Sequence, residues 1–240
     1  METESSDVLV VGGGYVGLPA ACHAAISGFR TTLLDLDLRK VRDLNELRSL
    51  PESVSRELLQ DSLKSGLEIV TVPPANRHFD YALICVPTPL SSDGGPDLSF
   101  VKEAARLVGK CVSQNALVIL ESTSYPGTTE DVVFPIIAEE SPAWAEFGGI
   151  VFSPERIDPG NQEFMFRNTP RVVGGASPEA ASKARDFYNQ LGLEVHTVKG
   201  TREAEMAKLL ENTYRQVNIA LVNELAQGSS ALGIDLWDSI

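Results

Sequence analysis

From residue 7 to about residue 200, short apolar runs alternate with segments whose apolar positions recur at helical spacing. The runs "DVLVV", "TTLLDLD", "LEIVTV", "YALICVP", "ALVILEST", "GIVFSPE", "PRVVGG" and "EVHTV" read as strands. Several are continuously apolar, as strands covered on both faces of a sheet are. Between them, "LPAACHAAISG", "LSFVKEAARLVGKCV", "TTEDVVFPIIAEE" and "SPEAASKARDFYNQLG" read as helices, the second introduced by the start signals Pro96 and Asp97. Strand–helix repetition of this kind predicts an α/β fold with a doubly wound, mostly parallel sheet of Rossmann type. Residues 1–200 are expected to form that domain. Residues 201–240 carry a different pattern, "TREAEMAKLLENTYRQVNIALVNELAQGSS". It is a long helix in which Met206, Leu210, Val217 and Leu221 form one stripe, and Ile219, Val222 and Ala226 make it apolar nearly all round. That pattern predicts a helix buried against further structure, with a new helix starting at Asp235.

The first strand runs directly into "GGGYVG" and then into a helix, the context in which a G-x-G-x-x-G turn acquires meaning. Gly12 permits the tight turn, Gly14 lets the backbone approach a pyrophosphate, and Gly17 lets helix and strand pack closely. The next strand ends at Asp35, roughly 20 residues on, where a carboxylate bonds the ribose hydroxyls and repels a 2′-phosphate. NAD is therefore expected over NADP, although Arg39 and Lys40 nearby weaken the discrimination. Other strands end in loops rich in Ser, Thr and Pro: Pro87 and Thr88, Ser122 and Thr123, and "SPERIDPGN" with Glu155 and Arg156. Such residues commonly make turns and caps, but ligands bind at this edge of a doubly wound sheet. Lys208 and Asn212 lie one turn apart on one side of the long helix.

Charge narrows the partners. The chain of 240 residues has a formal net charge of -13, which argues against nucleic acid and anionic membrane surfaces. No apolar run reaches membrane-spanning length, and the start "METESSDVLVV" lacks the basic segment of a secretory signal. Cys22, Cys85 and Cys111 have neither metal-ligand nor disulfide spacing, so a reducing cytoplasm is expected.

Taken together, "GGGYVGLP", "ICVPTPL", "ESTSYPGTTE", "FSPERIDPGN" and "EAEMAKLLENTYRQVNIALVNELA" resemble, in order and over nearly the whole chain, the NAD-dependent nucleotide-sugar 6-dehydrogenases. The "STSYPGTT" and "SPERIDPG" forms look closer to the N-acetylhexosamine branch than to the UDP-glucose branch. The resemblance implies a two-step oxidation of a UDP-sugar C6 alcohol to the uronic acid. A catalytic cysteine captures the aldehyde, and the resulting thioester is hydrolysed. It implies that Lys208 stabilises oxyanion character at C6, that Asn212 and Thr123 orient an oxygen or a water, and that Glu155 is the general base. It also implies a cofactor site of Gly12, Gly14, Tyr15, Val16, Gly17, Asp35, Lys40, Pro87, Thr88, Ser122 and Thr123, and a homodimer through the long helix.

The family's nucleophile lies in a Gly-rich loop beyond the long helix, and this chain ends at "LGIDLWDSI". The chain is thus expected to be the N-terminal, NAD-binding part of such an enzyme and inactive alone. Two alternatives stand beside this reading. One is a 3-hydroxyacid-dehydrogenase-like enzyme, which also carries a Lys and an Asn four apart but lacks the "VPTPL", "SYPGTT" and "SPERIDPG" motifs. The other is a non-catalytic NAD-binding module.

Overall fold

The computed structural model describes residues 6–156, 166 and 168–239. Eight strands form one sheet: β1 (Asp7–Val11), β2 (Arg30–Leu34), β3 (Glu68–Val70), β4 (Phe79–Ile84), β5 (Val112–Leu120), β6 (Ile150–Phe152), β7 (Arg171–Gly175) and β8 (Val195–Thr197). Their order is β3-β2-β1-β4-β5-β6-β7-β8. All neighbours are parallel except β6 and β7, which pair antiparallel through Val151↔Gly175 and Phe152↔Gly174. The expected mostly parallel, doubly wound sheet is therefore observed. The strand order reverses between β1 and β4, so a crevice opens there at the carboxyl ends of the strands.

Alternation along the strands builds a core on each face. Val8 and Val10 of β1 pack with α1 (Gly17–Ile26), α3 (Arg56–Lys64) and α7 (Pro178–Gln190). Leu9 and Val11 face the other way, against α4 (Ser99–Cys111), α5 (Phe134–Glu140) and α6 (Pro142–Phe147). Short α2 (Leu38–Asn45) follows β2. The helices α2, α3 and α6 escape a reading by apolar periodicity. The six residues of α6, with Trp144 alone buried, are too few to show a period, whereas α2 carries Leu38, Val41 and Leu44 and α3 carries Leu59 and Leu63 at helical spacing over only about two turns each.

Two local differences from expectation have physical causes. The segment from Thr128 does not start as an α-helix: Thr128–Val133 is a π-helical turn leading into α5. Pro135, in the first turn of α5, has no N–H for the carbonyl four residues back, which breaks the α-helical ladder at the junction. The second difference is the long helix α8 (Thr201–Ala231). Only Thr201, Ala204 and Glu205 of it are buried, and Met206, Leu210, Val217, Ile219, Leu221 and Val222 are exposed. The apolar pattern of α8 therefore has no cover among the described residues. Its end is followed by a single 3-10 turn, Trp237–Ser239. Among the described residues, no helix is long and apolar enough to cross a membrane.

The start of α8 is tied to the sheet at close quarters. A Cβ on Gly174 of β7 would lie 2.0 Å from the Gly200 carbonyl oxygen and 2.8 Å from the Ala204 Cβ, so only glycine allows this approach. Glu205 is fully buried and accepts hydrogen bonds from Gly127 N (2.6 Å), Thr129 N (2.8 Å) and Thr129 Oγ1 (2.7 Å). Thr201 bonds Glu130, and Arg202 pairs with Asp131 at 2.8 Å. These contacts place the next turn of α8, with Lys208, over the strand ends.

Candidate active site

Two cavities lie side by side at the carboxyl edge of the sheet. The first, about 330 Å³, is bounded by Gly12, Asp35, Lys40, Phe100 and Leu107. The second, about 350 Å³, is bounded by Gly14, Cys85, Glu121, Thr123, Glu155 and Lys208. Val86 and Pro87 line both, so the loop after β4 forms the saddle between them.

The glycine turn sits at that saddle. Gly12 has φ 103°, and a Cβ there would meet the Cys85 carbonyl oxygen at 2.5 Å. A Cβ on Gly17 would lie 1.9 Å from the Gly12 carbonyl oxygen, so α1 could not pack this close with any other residue. At Gly14 a Cβ would meet nothing within 4 Å: its open side faces the second cavity. The N-terminus of α1 has no side-chain cap and no acidic residue in its first turn. Its free N–H groups and positive dipole end suit a pyrophosphate. Tyr15 and Val16 complete the turn and also line the second cavity. An open cradle, an uncapped helix and a flanking pair of cavities together fit a dinucleotide.

Asp35 closes the outer end of the first cavity. Its Oδ2 accepts from Gly13 N at 2.8 Å and from Lys40 Nζ at 2.7 Å, and its Oδ1 accepts from Asp37 N at 3.0 Å. Burial alone would raise its pKa; the Lys40 ammonium and the Asp37 and Gly13 amides outweigh it and hold the carboxyl below the ordinary value. The carboxylate is thus preformed, but its charge is offset by Lys40, which weakens its repulsion of a 2′-phosphate.

The sequence-predicted residues do not all converge. Thr88, Ser122, Thr123, Glu155 and Lys208 line the second cavity; Asn212, half-buried one turn further along α8, does not. The Ser122 hydroxyl is turned away into structure, donating to Val86 O at 2.8 Å and Ile84 O at 3.2 Å. It thereby fixes the loop bearing Pro87 and Thr88. Lys208 Nζ donates to the Glu155 carbonyl oxygen at 2.6 Å, and desolvation lowers its pKa. Arg156 is paired with Glu211 at 2.7 Å, a second tie between α8 and the segment after β6. The rest of "SPERIDPGN", residues 157–161, lies outside the described residues.

Sequence reading missed a buried charge cluster beneath the second cavity. Arg171 and Glu155 form a buried ion pair, and Glu155 Oε1 also accepts from Arg156 N at 2.7 Å. Glu121, 2% exposed, accepts from Tyr188 Oη at 2.6 Å and from Cys85 Sγ at 3.6 Å. Burial works against the Arg171 cation, but the carboxylates of Glu155 and Glu121 prevail and keep it firmly protonated. The guanidinium also lies over Phe166 (4.7 Å) and Tyr188 (5.5 Å). The one available signal was a charged residue, Glu121, closing the apolar run "ALVIL". Cys85 lines the cavity as well as being buried, yet burial and then the Glu121 charge push its thiol well above the ordinary value. Burial raises Cys111 too, and Cys22 is pushed up to about 11.

Comparison with known proteins supplies the family. Residues 6–192 match the UDP-glucose/GDP-mannose dehydrogenase family, NAD binding domain, and residues 202–240 match that family's central domain. The chain belongs to the UDP-glucose/GDP-mannose dehydrogenase family. This membership decides against the 3-hydroxyacid-dehydrogenase alternative and establishes NAD as the cofactor of the sheet domain. The UDP-N-acetyl-D-mannosamine dehydrogenase of Methanocaldococcus jannaschii is 33% identical over 238 residues, covering 97% of this chain and 54% of that protein. Among solved structures, the UDP-D-ManNAc dehydrogenase of Pyrococcus horikoshii is 32% identical with a TM-score of 0.85, covering 98% of this chain and 56% of that one. A UDP-glucose dehydrogenase of Pyrobaculum islandicum is 30% identical with a TM-score of 0.84, covering 99% and 56%. The chain spans about half the length of the curated relatives it matches, their NAD-binding part and the start of their central domain.

Proposed function

We propose that this chain is the NAD-binding half of a dehydrogenase that oxidises the C6 alcohol of a UDP-sugar, with a UDP-N-acetylhexosamine as the substrate class. The observation that carries this reading is the pair of cavities joined at Val86 and Pro87, one ending in Asp35 and the other containing Thr123, Glu155 and Lys208. The several UDP-N-acetyl-D-mannosamine dehydrogenases among its relatives support the substrate class.

NAD, when bound, accepts hydride from the sugar carbon. The protein's part is to orient and to stabilise charge. Gly12, Gly14 and Gly17, with Tyr15 and Val16, shape the pyrophosphate turn, and Asp35 with Lys40 receives the ribose. Pro87, Thr88 and Ser122 set the floor between the two halves. Lys208, partly desolvated, places its ammonium where an oxyanion develops at C6, a contribution that rises as water is excluded. Thr123 holds a water, and Asn212 orients the substrate oxygen from the next turn of α8. Glu155 is the general base, its carboxylate oriented by Arg171 and the Arg156 amide.

Taking the aldehyde on to the acid requires a thiolate. Burial raises the pKa of all three cysteines of this chain, so none supplies one near neutral pH. We therefore assign this chain cofactor binding, and the complete oxidation to an assembly that adds a reactive cysteine. The exposed apolar face of α8 supports a homodimer, and three free cysteines support a reducing, cytoplasmic setting.

The test is NADH absorbance and product mass spectrometry with purified chain, NAD, UDP-glucose and UDP-N-acetylhexosamines. The expected result is NAD binding without uronic acid, with turnover appearing when the remainder of a relative is added in trans. Lys208→Ala should abolish that turnover and leave NAD affinity nearly unchanged. Uronic acid formed by the chain alone would overturn the division of labour. Failure of every complemented mixture, with NAD still bound, would favour the non-catalytic module.

A further inference from the structure

Beneath the second cavity, the buried charges do not balance. Glu155 has its counterion in Arg171, whereas Glu121 shares that guanidinium only at a distance and is held directly by two neutral donors, Tyr188 and Cys85. The groups facing Glu121 come from every element packed around it. They are Cys85 after β4, Arg171 on β7, Tyr188 on α7, Glu155 after β6, and Lys208 on α8 across the cavity. Behind Arg171, His23 of α1 stacks on the Phe166 ring that the guanidinium covers. The buried groups alone, two carboxylates and one guanidinium, leave one negative charge when all are ionised and none when Glu121 holds a proton; the half-buried Lys208 ammonium faces them from the far side of the cavity.

If the pyrophosphate occupies the glycine turn and the adenosine half takes the cavity at Asp35, the nicotinamide half enters the cavity that Glu121 lines. That ring is a cation in NAD+ and neutral in NADH. We propose that Glu121 is a proton-linked sensor of the nicotinamide's redox state: ionised Glu121 favours the oxidised cofactor, and protonated Glu121 favours the reduced one. This rests on the reading of the second cavity as the nicotinamide site. In a low-dielectric site a carboxylate beside a ring cation is strongly favoured over one beside a neutral ring. Burial is the largest influence on Glu121 and raises its pKa; Arg171 opposes it, Glu155 reinforces it, and Tyr188 and Cys85 oppose it, leaving the group above the ordinary carboxylate range. The proton is therefore available to be released. NAD+ binding expels it, and NADH binding retains or takes it up.

Titration calorimetry of the full chain with NAD+ and with NADH, each in buffers of different ionisation enthalpy, reads the proton count directly. From the ordinary carboxylate range up to the raised value of Glu121, NAD+ affinity should rise with pH by up to about tenfold per unit, the limit for one proton, and level off above it. NADH affinity should stay flat or fall over the same range. NAD+ binding should release up to one proton, and NADH binding none. Glu121→Gln keeps the shape but cannot ionise. It should give the two cofactors the same pH dependence and hold NAD+ affinity at its acid-side level. Tyr188→Phe removes a donor that favours the ionised form and should move the NAD+ transition to higher pH. A merely structural role for Glu121 would change both affinities alike at every pH. Equal proton counts for NAD+ and NADH in the unsubstituted chain would overturn the proposal and leave the cofactor assignment standing. Absence of binding by either cofactor would overturn both.

Discussion

Replacing Glu205 with alanine should both destabilise the domain and loosen the site. The Glu205 carboxylate is fully buried, and it is the partner of two backbone N–H groups, Gly127 and Thr129, and of the Thr129 hydroxyl. The hydroxyl can turn to another acceptor; the two amides cannot. A buried donor left without an acceptor costs about 1–3 kcal/mol, so the pair costs roughly 2–6 kcal/mol, a large share of the roughly 5–15 kcal/mol that holds a domain together. Glu205→Gln keeps one acceptor oxygen and should lose about 1–3 kcal/mol, the cost of one orphaned amide. Lys208 lies one turn beyond Glu205, so the same change should lower affinity for NAD through the second cavity while leaving the Asp35 end intact. Urea unfolding followed by circular dichroism measures the first effect, and calorimetry with NAD and with AMP separates the two ends of the site. A Glu205→Ala protein within about 0.5 kcal/mol of the parent, the scatter of an ordinary surface substitution, would refute the clamp.

Three further outcomes are expected. Gly12→Ala forces a Cβ to 2.5 Å from the Cys85 carbonyl at φ 103° and should cost roughly 2–5 kcal/mol by strain and overpacking. Gly14→Ala meets nothing within 4 Å, so it should leave stability within about 1 kcal/mol yet weaken NAD binding; thermal melts and calorimetry on the two variants check the contrast. The chain should bind NAD with Kd on the order of tens to hundreds of micromolar, about -5 to -6 kcal/mol, and NADP more weakly. Lys40→Ala should widen that gap by baring Asp35, and Asp35→Asn should narrow it; tighter NADP binding by the parent would sink the Asp35 assignment. Stability should also respond to pH from two sides. The depressed Asp35 stabilises the fold above the ordinary carboxyl value of about 3.9, and that contribution disappears as pH falls through its lower folded value. The raised Glu121 binds a proton in the fold that the unfolded chain gives up, so stability declines as pH rises from about 4.3 toward its folded value, and Glu121→Gln should flatten that decline in urea titrations across pH.

The strand pattern, the glycine turn and the acidic end of β2 are local properties, and so they were legible in the residues alone. A parallel strand covered on both faces has to be apolar throughout, a turn at φ 103° has to be glycine, and a helix that packs against the carbonyl of that turn has to start with one. The order of the motifs along the chain carried the family in the same way. Tertiary structure alone decided which residues meet. Glu121, Glu155, Arg171 and Tyr188 are spread across four separate segments, and apart from the apolar run that Glu121 closes, nothing local marks them as buried partners. Whether Glu155 pairs with Arg156, its neighbour, or with Arg171 on the antiparallel strand depends on β6 and β7 lying side by side. The approach of α8 to β7 likewise rests on Gly174 and on a carboxylate at Glu205 buried more than seventy residues from its partners in sequence. Helical spacing placed Lys208 and Asn212 on one side of α8, but the clamp brings only Lys208 to the cavity, because spacing sets direction around a helix and packing sets where along it the sheet ends.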